Sequence, residues 1–395
     1  MLVLTRNLKV ALISSEYPPS SLGGVSAVCY DLSLNLSKRG VSTTVFCGKS
    51  ENTTVENVNA CLKVVRMPIV SFPPRHLWFP FQNHGSLSVW LNEFDVVHNV
   101  DTRAGGLLTY LSKSIDKPFV AHVHGCGHCE TKVFLESPVF SWSLGEFVYT
   151  VLEYPLNECL VNLSLHHSDH IVVCSTARLT EMKRRNPEID LGKVSVVYNG
   201  IDLQRKRYEN IGSEEDFSVL FWGRLFYNKG IIQLLRAMAL VKKDFPNVSF
   251  DICGKGPLDS KIRALRCKLD LENNVHIHGY VNDEFLIEKI RRASVVTLPS
   301  LYEGQPVAAL EAMAHRKAVI MYDFPFAREY LTDWNNGLIA KGGSIEDLAD
   351  RICVALSDKK LRKKLGQNAY ERIKRNHNWD ILVNEYISLY DNLAK

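Results

Sequence analysis

The chain has 395 residues, of which 46% are apolar and 23% charged, with 47 basic against 43 acidic side chains and a net charge of +4. This is ordinary for a soluble globular protein, and the length suits two or three domains, with a core that needs no metal or disulfide staple. The charge balance excludes the strongly basic face of a nucleic-acid binder. Basic runs at 183–185 ("KRR") and 205–207 ("RKR") read as a solvated helix end and a linker, with a phosphate or anionic-membrane contact as the sharper alternative.

From the N-terminus, Arg6 and Lys9 interrupt any apolar leader, and no run approaches the ~18 apolar residues of a membrane span. The 10 cysteines lie between Cys29 and Cys353 without framework spacing, several inside apolar runs. Buried, reduced thiols in a cytoplasmic protein, with contact at the inner face of the membrane as an option, fit that usage.

"KVALIS" (9–14) reads as a strand, followed by a glycine loop and a helix closing at Gly40. "VSTTVFC", "DVVHNV", "PFVAHVHG", "HIVVCS" and "KVSVVYNG" are further strands with helical stretches between several of them. Such alternation predicts a parallel sheet with helices on both faces. The polar stretch at 204–216 reads as a linker, after which the pattern restarts. "FSVLFWG", "VSFDICG", "VHIHG", "SVVTLPS" and "KAVIMY" alternate with helices expected at 230–243, 258–269, 282–292 and 306–315. The predicted organisation is an N-terminal domain over 1–203, a C-terminal domain over 217–376, and a final helix from 377 to 395. Trp379, Leu382, Tyr386 and Leu393 share a face of that helix, which should dock it onto the body. Aromatic-rich stretches at 71–90 and 133–154 read either as core or as a surface facing an acceptor or a membrane.

Chemistry concentrates in the second half. Arg224 and Lys229, in "GRLFYNKG", stand at a strand's carboxyl end beside a helix N-terminus, a setting that suits a diphosphate. Gly254, in "GKGP", follows another strand, but a lone GxG is weak, and the absence of GxGxxG argues against a dinucleotide oxidoreductase. In "LPSLYEGQPVAALEAMA", Glu303 precedes Gly304, Gln305 and a helix-starting Pro306, with Glu311 inside the helix. Carboxylates so placed can accept hydrogen bonds from sugar hydroxyls, while the helix N-terminus can face a phosphate.

Arg224, Lys229 and the Glu303-x7-Glu311 pair resemble the signature of the retaining GT-B glycosyltransferases of family 4. The resemblance spans nearly the whole chain and implies two Rossmann-like domains facing a central cleft. It implies catalytic roles for His124, Arg224, Lys229 and Glu303, with Glu303 on the donor sugar, Glu311 on the nucleotide ribose, and Arg224 and Lys229 neutralising the leaving diphosphate. By the same resemblance Gly23 and Gly24 approach the donor phosphate, His124 in "VHG" faces the sugar, and Tyr280 and Val281 in "HGYV" meet the base. Gly254, Gly304, Gln305 and Pro306 complete the implied donor site. Where the family commonly has Gly-Phe-Gly after the first glutamate, this chain has Gly304-Gln305-Pro306, so sugar identity does not carry over. The implied partners are a nucleotide-sugar donor and a glycan or lipid-linked acceptor, with no cofactor, no metal and no nucleic acid.

A competing signal is "HVHGCGHC" at 122–129, where Cys126-x-x-Cys129 and His122, His124 and His128 offer zinc ligands. No second CxxC completes a tetrahedral site, and His166 and His170 are its distant candidate partners, spaced four apart if helical. The resemblance instead makes His124 a sugar contact and leaves the thiols in loop or core. A sugar-nucleotide epimerase of the same architecture, a non-catalytic nucleotide-sugar-binding protein and a zinc hydrolase remain as alternatives. Base, sugar, acceptor, linkage and oligomeric state are not legible.

Overall fold

The computed structural model describes residues 7–19, 23–48, 52–70, 75–111, 115–125, 127–136, 144–204 and 214–395. The chain divides into two compact units, one of Met1–Gly125, Glu153–Asp202 and Asn378–Lys395, the other of Cys126–Leu152 and Leu203–His377. Residues 126–152, placed in the first domain by the sequence reading, therefore cluster with the second unit. Most of the linker expected at 204–216, including the basic run at 205–207, lies outside the described residues.

In the first unit, strands β1 (Lys9–Ser14), β2 (Ser42–Gly48), β3 (Thr54–Asn59), β4 (Leu62–Met67), β5 (Val96–Asn99), β6 (Phe119–Val123), β7 (His170–Val173) and β8 (Val194–Val196) form one sheet. Its order is β3-β4-β2-β1-β5-β6-β7-β8. The central strands are buried on both faces, Val10 to Ile13 being fully so, which is why they read as unbroken apolar runs. Every pairing is parallel except β3 with β4. Those two strands are joined by residues 60 and 61 alone. So short a link permits only an antiparallel hairpin, and the expectation of a wholly parallel sheet fails at this edge.

The helices up to the linker are α1 (Gly24–Lys38), α2 (Arg75–Trp90), α3 (Thr102–Leu111), α4 (Gly127–Leu135), α5 (Leu144–Val148), α6 (Tyr154–His167) and α7 (Thr176–Arg185). Among the basic side chains of α7, Arg184 pairs with Glu181 at 3.0 Å and Arg185 with Glu158 at 2.9 Å, as a solvated helix end would. In α2, Phe79 is buried while Phe81 is 58% exposed, so the first aromatic stretch serves both core and surface.

The second unit holds a six-stranded, all-parallel sheet of order β11-β10-β9-β12-β13-β14. Its strands are β9 (Ser218–Trp222), β10 (Ser249–Cys253), β11 (Val275–Gly279), β12 (Val295–Thr297), β13 (Ala318–Tyr322) and β14 (Leu338–Ala340). Around them lie α8 (Ile231–Asp244), α9 (Asp259–Lys268), α10 (Asp283–Arg292), α11 (Val307–Ala314), α12 (Pro325–Tyr330), α13 (Ile345–Ser357) and α14 (Lys359–Asn376). Lys317 is buried at the start of β13, where its Nζ donates to the carbonyls of Arg291 and Ala293 at 2.6 and 2.9 Å. Burial lowers its pKa to about 8.

The final helix, α15 (Trp379–Leu393), belongs to the first unit. Trp379, Leu382 and Tyr386 are buried, as expected of a docked face, and Leu393 is half-buried. Arg39 at the end of α1 holds the helix by donating to the Asn384 side chain and the Asp380 carbonyl, each at 2.9 Å. Beneath α15 lies a column of imidazoles. His98 on β5 stacks on His122 of β6 at 5.3 Å, and His122 meets His124 at 3.9 Å between centroids. Tyr390 and Tyr386 of α15 lie 5.7 and 5.8 Å from the His98 ring.

Desolvation dominates the titration of these rings. It lowers His98 to about 3 and His124 to about 4, and it holds His122 well below the ordinary 6.5. Below pH 6.5 the unfolded chain therefore binds protons that the native chain refuses, so stability is complete above that pH and is lost as pH falls through it. Between pH 6.5 and 5, His98 and His124 should each cost about 2 kcal/mol of stability, with His122 acting in the same direction. Melting curves from pH 7.5 to 5 should show the transition falling steadily, before carboxylates titrate. A midpoint unchanged over that range contradicts the buried neutral column.

Candidate active site

The carboxyl ends of β9, β10 and β11 meet through backbone. The Gly254 amide donates to the Gly279 carbonyl at 2.7 Å, and the Gly223 amide to the Cys253 carbonyl at 3.0 Å. Gly254 has φ +154°, and a Cβ there would stand 1.9 Å from the Gly223 oxygen, so glycine alone fits. Arg224 projects from this floor into solvent, with its guanidinium 4.9 Å above the Phe226 ring.

The turn Tyr227–Lys229 leads to Gly230, whose φ of +68° caps α8. A Cβ on Gly230 would come within 1.9 Å of the Pro299 oxygen, in the loop that follows β12. The Leu301 amide donates to the Asn228 carbonyl at 2.7 Å, which fastens the same two loops a second time. This fastening places Lys229 against Glu303, 74 residues onward: Nζ is bonded to Oε1, and both side chains are largely buried. The Ser300 hydroxyl donates to the same oxygen at 3.1 Å.

Gly304, Gln305 and Pro306 are buried behind Glu303, Gln305 being 7% exposed. Pro306 is not the first helical residue, as the sequence reading had it. Its ψ of 90° puts it at the N-cap, where its carbonyl accepts from Ala309 and Leu310 and α11 begins at Val307. Glu311 lies just past the first turn of α11 and is half-buried. Tyr280, 57% exposed, and Val281 follow Gly279 at the end of β11, ahead of an α10 capped by the Asn282 side chain. Arg224, Lys229, Gly254, Tyr280, Val281, Glu303, Gly304, Gln305, Pro306 and Glu311 thus belong to loops at the carboxyl edge of one sheet or to the helix directly after it.

In the first unit, Gly23 is the N-cap of α1 and Gly24 its first residue. Among the described residues no side chain caps that helix, and its first turn carries no acidic residue. His124 follows β6. Its ring is hydrogen-bonded to the Val100 carbonyl, while Nε2 is buried without a partner among the described residues. Desolvation outweighs the Asp101 carboxylate, which acts to raise its pKa, and the ring stays neutral. One nitrogen of a neutral imidazole donates and the other accepts. With the first engaged on Val100, Nε2 is left as an acceptor. Asp101 accepts from Ser15 Oγ at 2.5 Å and from Arg103 Nε at 3.1 Å. Ser15, Asp101, Arg103 and Ser300 were missed from sequence. Ser300 stood inside a motif already singled out, whereas Ser15 and Asp101 sit in loops and Arg103 in the first turn of α3, none with a local pattern.

"HVHGCGHC" is divided by the fold. Cys126 lies outside the described residues, and His128 and Cys129 are on α4 of the second unit, where α4 packs against the turn Tyr227–Lys229. That packing draws residues 126–152 into the second unit. His166 lies on α6 and pairs with Glu188 at 3.3 Å, while His170 lies on β7 and contacts Ser195 Oγ at 2.8 Å, so the two do not share a helix. Among the described residues, no group of three or more His, Cys, Asp or Glu side chains could hold a metal ion, and no two cysteines form a disulfide.

Residues 22–205 match the family described as Glycosyltransferase Family 4, and residues 204–372 match Glycosyl transferases group 1. The chain is 26% identical to an uncharacterised glycosyltransferase of Methanocaldococcus jannaschii, over 97% of this chain and 98% of that one. In fold it is similar to the sucrose-phosphate synthase of Thermosynechococcus elongatus, with a TM-score of 0.76, 19% identity and 98% and 99% of the two chains covered. It is also similar to HepE of Anabaena, solved in complex with UDP and glucose, at a TM-score of 0.71 and 18% identity over 98% and 100% of the chains. The two matches adjoin and account for nearly the whole chain, which belongs to the group 1, family 4 glycosyltransferases and is an enzyme of GT-B fold.

Proposed function

We propose that the enzyme moves a hexose-type sugar from a nucleotide diphosphate sugar to an acceptor hydroxyl, with retention of anomeric configuration and without a metal. The observation that carries this reading is the joining of Lys229 to Glu303 beside Arg224 at the carboxyl edge of the second sheet. The costly event is departure of the nucleotide diphosphate from an oxocarbenium-like sugar, and fixed cations aimed at that charge lower its barrier. Lys229 is held by the loop fastening at Gly230 and Asn228, so it need not reorganise as charge develops. Glu303 and the acceptor nitrogen of His124 take sugar hydroxyls, and Glu311 takes the ribose. Gly254, Tyr280 and Val281 meet the base, and the N-terminus of α1 at Gly23 and Gly24 takes phosphate. Attack from the face of departure, assisted by the leaving phosphate, completes transfer with retention.

The acceptor we favour is a lipid-linked glycan or a cell-surface polysaccharide precursor. Leu144, Phe147, Val148 and Val151 support it, since they lie at i, i+3, i+4 and i+7 and are 80%, 42%, 41% and 49% exposed.

Melting in the presence of UDP, GDP, ADP and their sugar conjugates tests the donor site. A bound nucleotide at about 100 times its dissociation constant should add about 2.7 kcal/mol, unaffected by EDTA and largely lost in Arg224→Ala and Lys229→Ala. Lys229→Ala should also lower kcat by about two to three orders of magnitude while the fold persists. No shift with any nucleotide, or a shift that needs a metal, would sink the reading. Retention is tested separately by proton NMR of the first product formed from an α-linked donor, where an initial β-anomer contradicts it. For the acceptor, lipid-tailed substrates should show KM at least about tenfold below tail-free ones. Leu144→Glu combined with Val148→Glu should erase that difference, and equal KM values for both substrates exclude the lipid preference.

A further inference from the structure

We propose that α15 positions His124 through the buried imidazole column, so that Tyr390, Tyr386, His98 and His122 act on transfer without touching substrate. The inference rests on the reading of His124 as a sugar contact. The Tyr390 hydroxyl meets His98 Nδ1 at 2.5 Å, and His98 stacks on His122 at 5.3 Å with 25° between planes. His122 meets His124 at 3.9 Å and 32°, and Tyr386 flanks His98 and His122 at 5.8 and 6.0 Å. The chain of contacts thus runs from the C-terminal helix to the carboxyl end of β6 without a gap.

Packing alone does not account for these residues. His98 and His122 are fully buried and pair across the sheet with aliphatic residues, His98 with Leu12 and Val120 and His122 with Val172, where an aliphatic side chain would leave no polar atom unpaired. Instead, among the described residues, His98 Nε2, both nitrogens of His122 and Nε2 of His124 are buried without a protein partner. Buried polar atoms left unpaired are expensive, so these side chains call for a role beyond filling space. Flat rings in contact supply one. A stacked imidazole cannot tilt or slide without displacing the next, and among the described residues the polar anchor of His98 is a hydroxyl on α15. Because β5 and β6 are parallel with His98 opposite Val120, His122 lies one same-face step further toward the carboxyl edge. His124 is one such step beyond it, so the column leads out of the core toward the loops.

Tyr390→Phe, which keeps the ring and removes the hydroxyl, is the first variant to make. We expect kcat to fall about tenfold, as small misplacements of a substrate contact do, with the nucleotide-induced melting shift unchanged. Introduced into His124→Ala, Tyr390→Phe should cause no further loss, since the column then has nothing to position. Equal, additive losses in both backgrounds overturn the proposal, as does wild-type kcat in Tyr390→Phe. If Tyr390→Phe does not fold, Tyr386→Leu takes its place. It should lower kcat in the wild-type background only, and Tyr386→Phe should restore it; failure of either result overturns the proposal. A different failure marks the underlying reading: if His124→Ala turns over like wild type, His124 is not a sugar contact. Histidine 15N spectra then test the column by itself, with a displaced His124 signal in Tyr390→Phe expected and an unmoved one against it.

Discussion

The proposed donor site depends on how closely backbone can approach backbone at the carboxyl edge of the second sheet. Parallel strands covered on both faces leave their ends as the one open border, so loops from several strands must share it. Here they share it at hydrogen-bonding distance: Gly254 on Gly279, Gly223 on Cys253, and Leu301 on Asn228. Any side chain at Gly254 or Gly230 would strike a carbonyl, so these approaches exist only because glycine stands there. The consequence is chemical, since a lysine and a glutamate from distant loops are held as a pair. An exposed pair of this type contributes little, but one enclosed by its loops keeps its charges in place.

The first unit solves a different problem. Its central strands carry histidines where aliphatic residues would suffice, and it keeps them neutral by burying them. Protonation would demand solvation the core cannot supply. The rings therefore behave as flat, polarisable packing units with directional edges, and the edge of His124 that has no partner among the described residues is an acceptor. Neutrality is thus more than a by-product of depth. It sets what His124 offers: a lone pair suited to a hydroxyl, not a positive charge suited to phosphate.

Much of this was legible in the residues. Strands buried on both faces leave apolar runs, so "KVALIS" coincides with β1 and "KAVIMY" contains β13, and the four helices expected after 229 end within a residue or two of those observed. Arg224, Lys229 and Glu303 were legible because strand ends and helix starts bracket them. The β3 strand was not, because all six of its residues are exposed at the edge and carry no apolar alternation. Nor was the allegiance of residues 126–152, which depends on α4 meeting a turn a hundred residues onward. Ser15, Asp101 and Arg103 converge only once β1 and β5 lie side by side.

The histidine-rich stretch shows why composition and geometry part company. Ligands to a metal must point their lone pairs at one centre about 2 Å away, which needs rings that face each other edge-on. A strand's period of two puts His122 and His124 on the same face, one above the other. Their rings lie 3.9 Å apart between centroids, inclined by 32°. Rings overlapped face to face direct their nitrogens outward, roughly in parallel planes, not toward a shared point. His122 and His124 therefore become a tilted, overlapping pair at one strand end, while His128 and Cys129 join a helix of the other unit. What decides between a ligand cluster and a packing column is backbone period and the direction in which each ring's edge points.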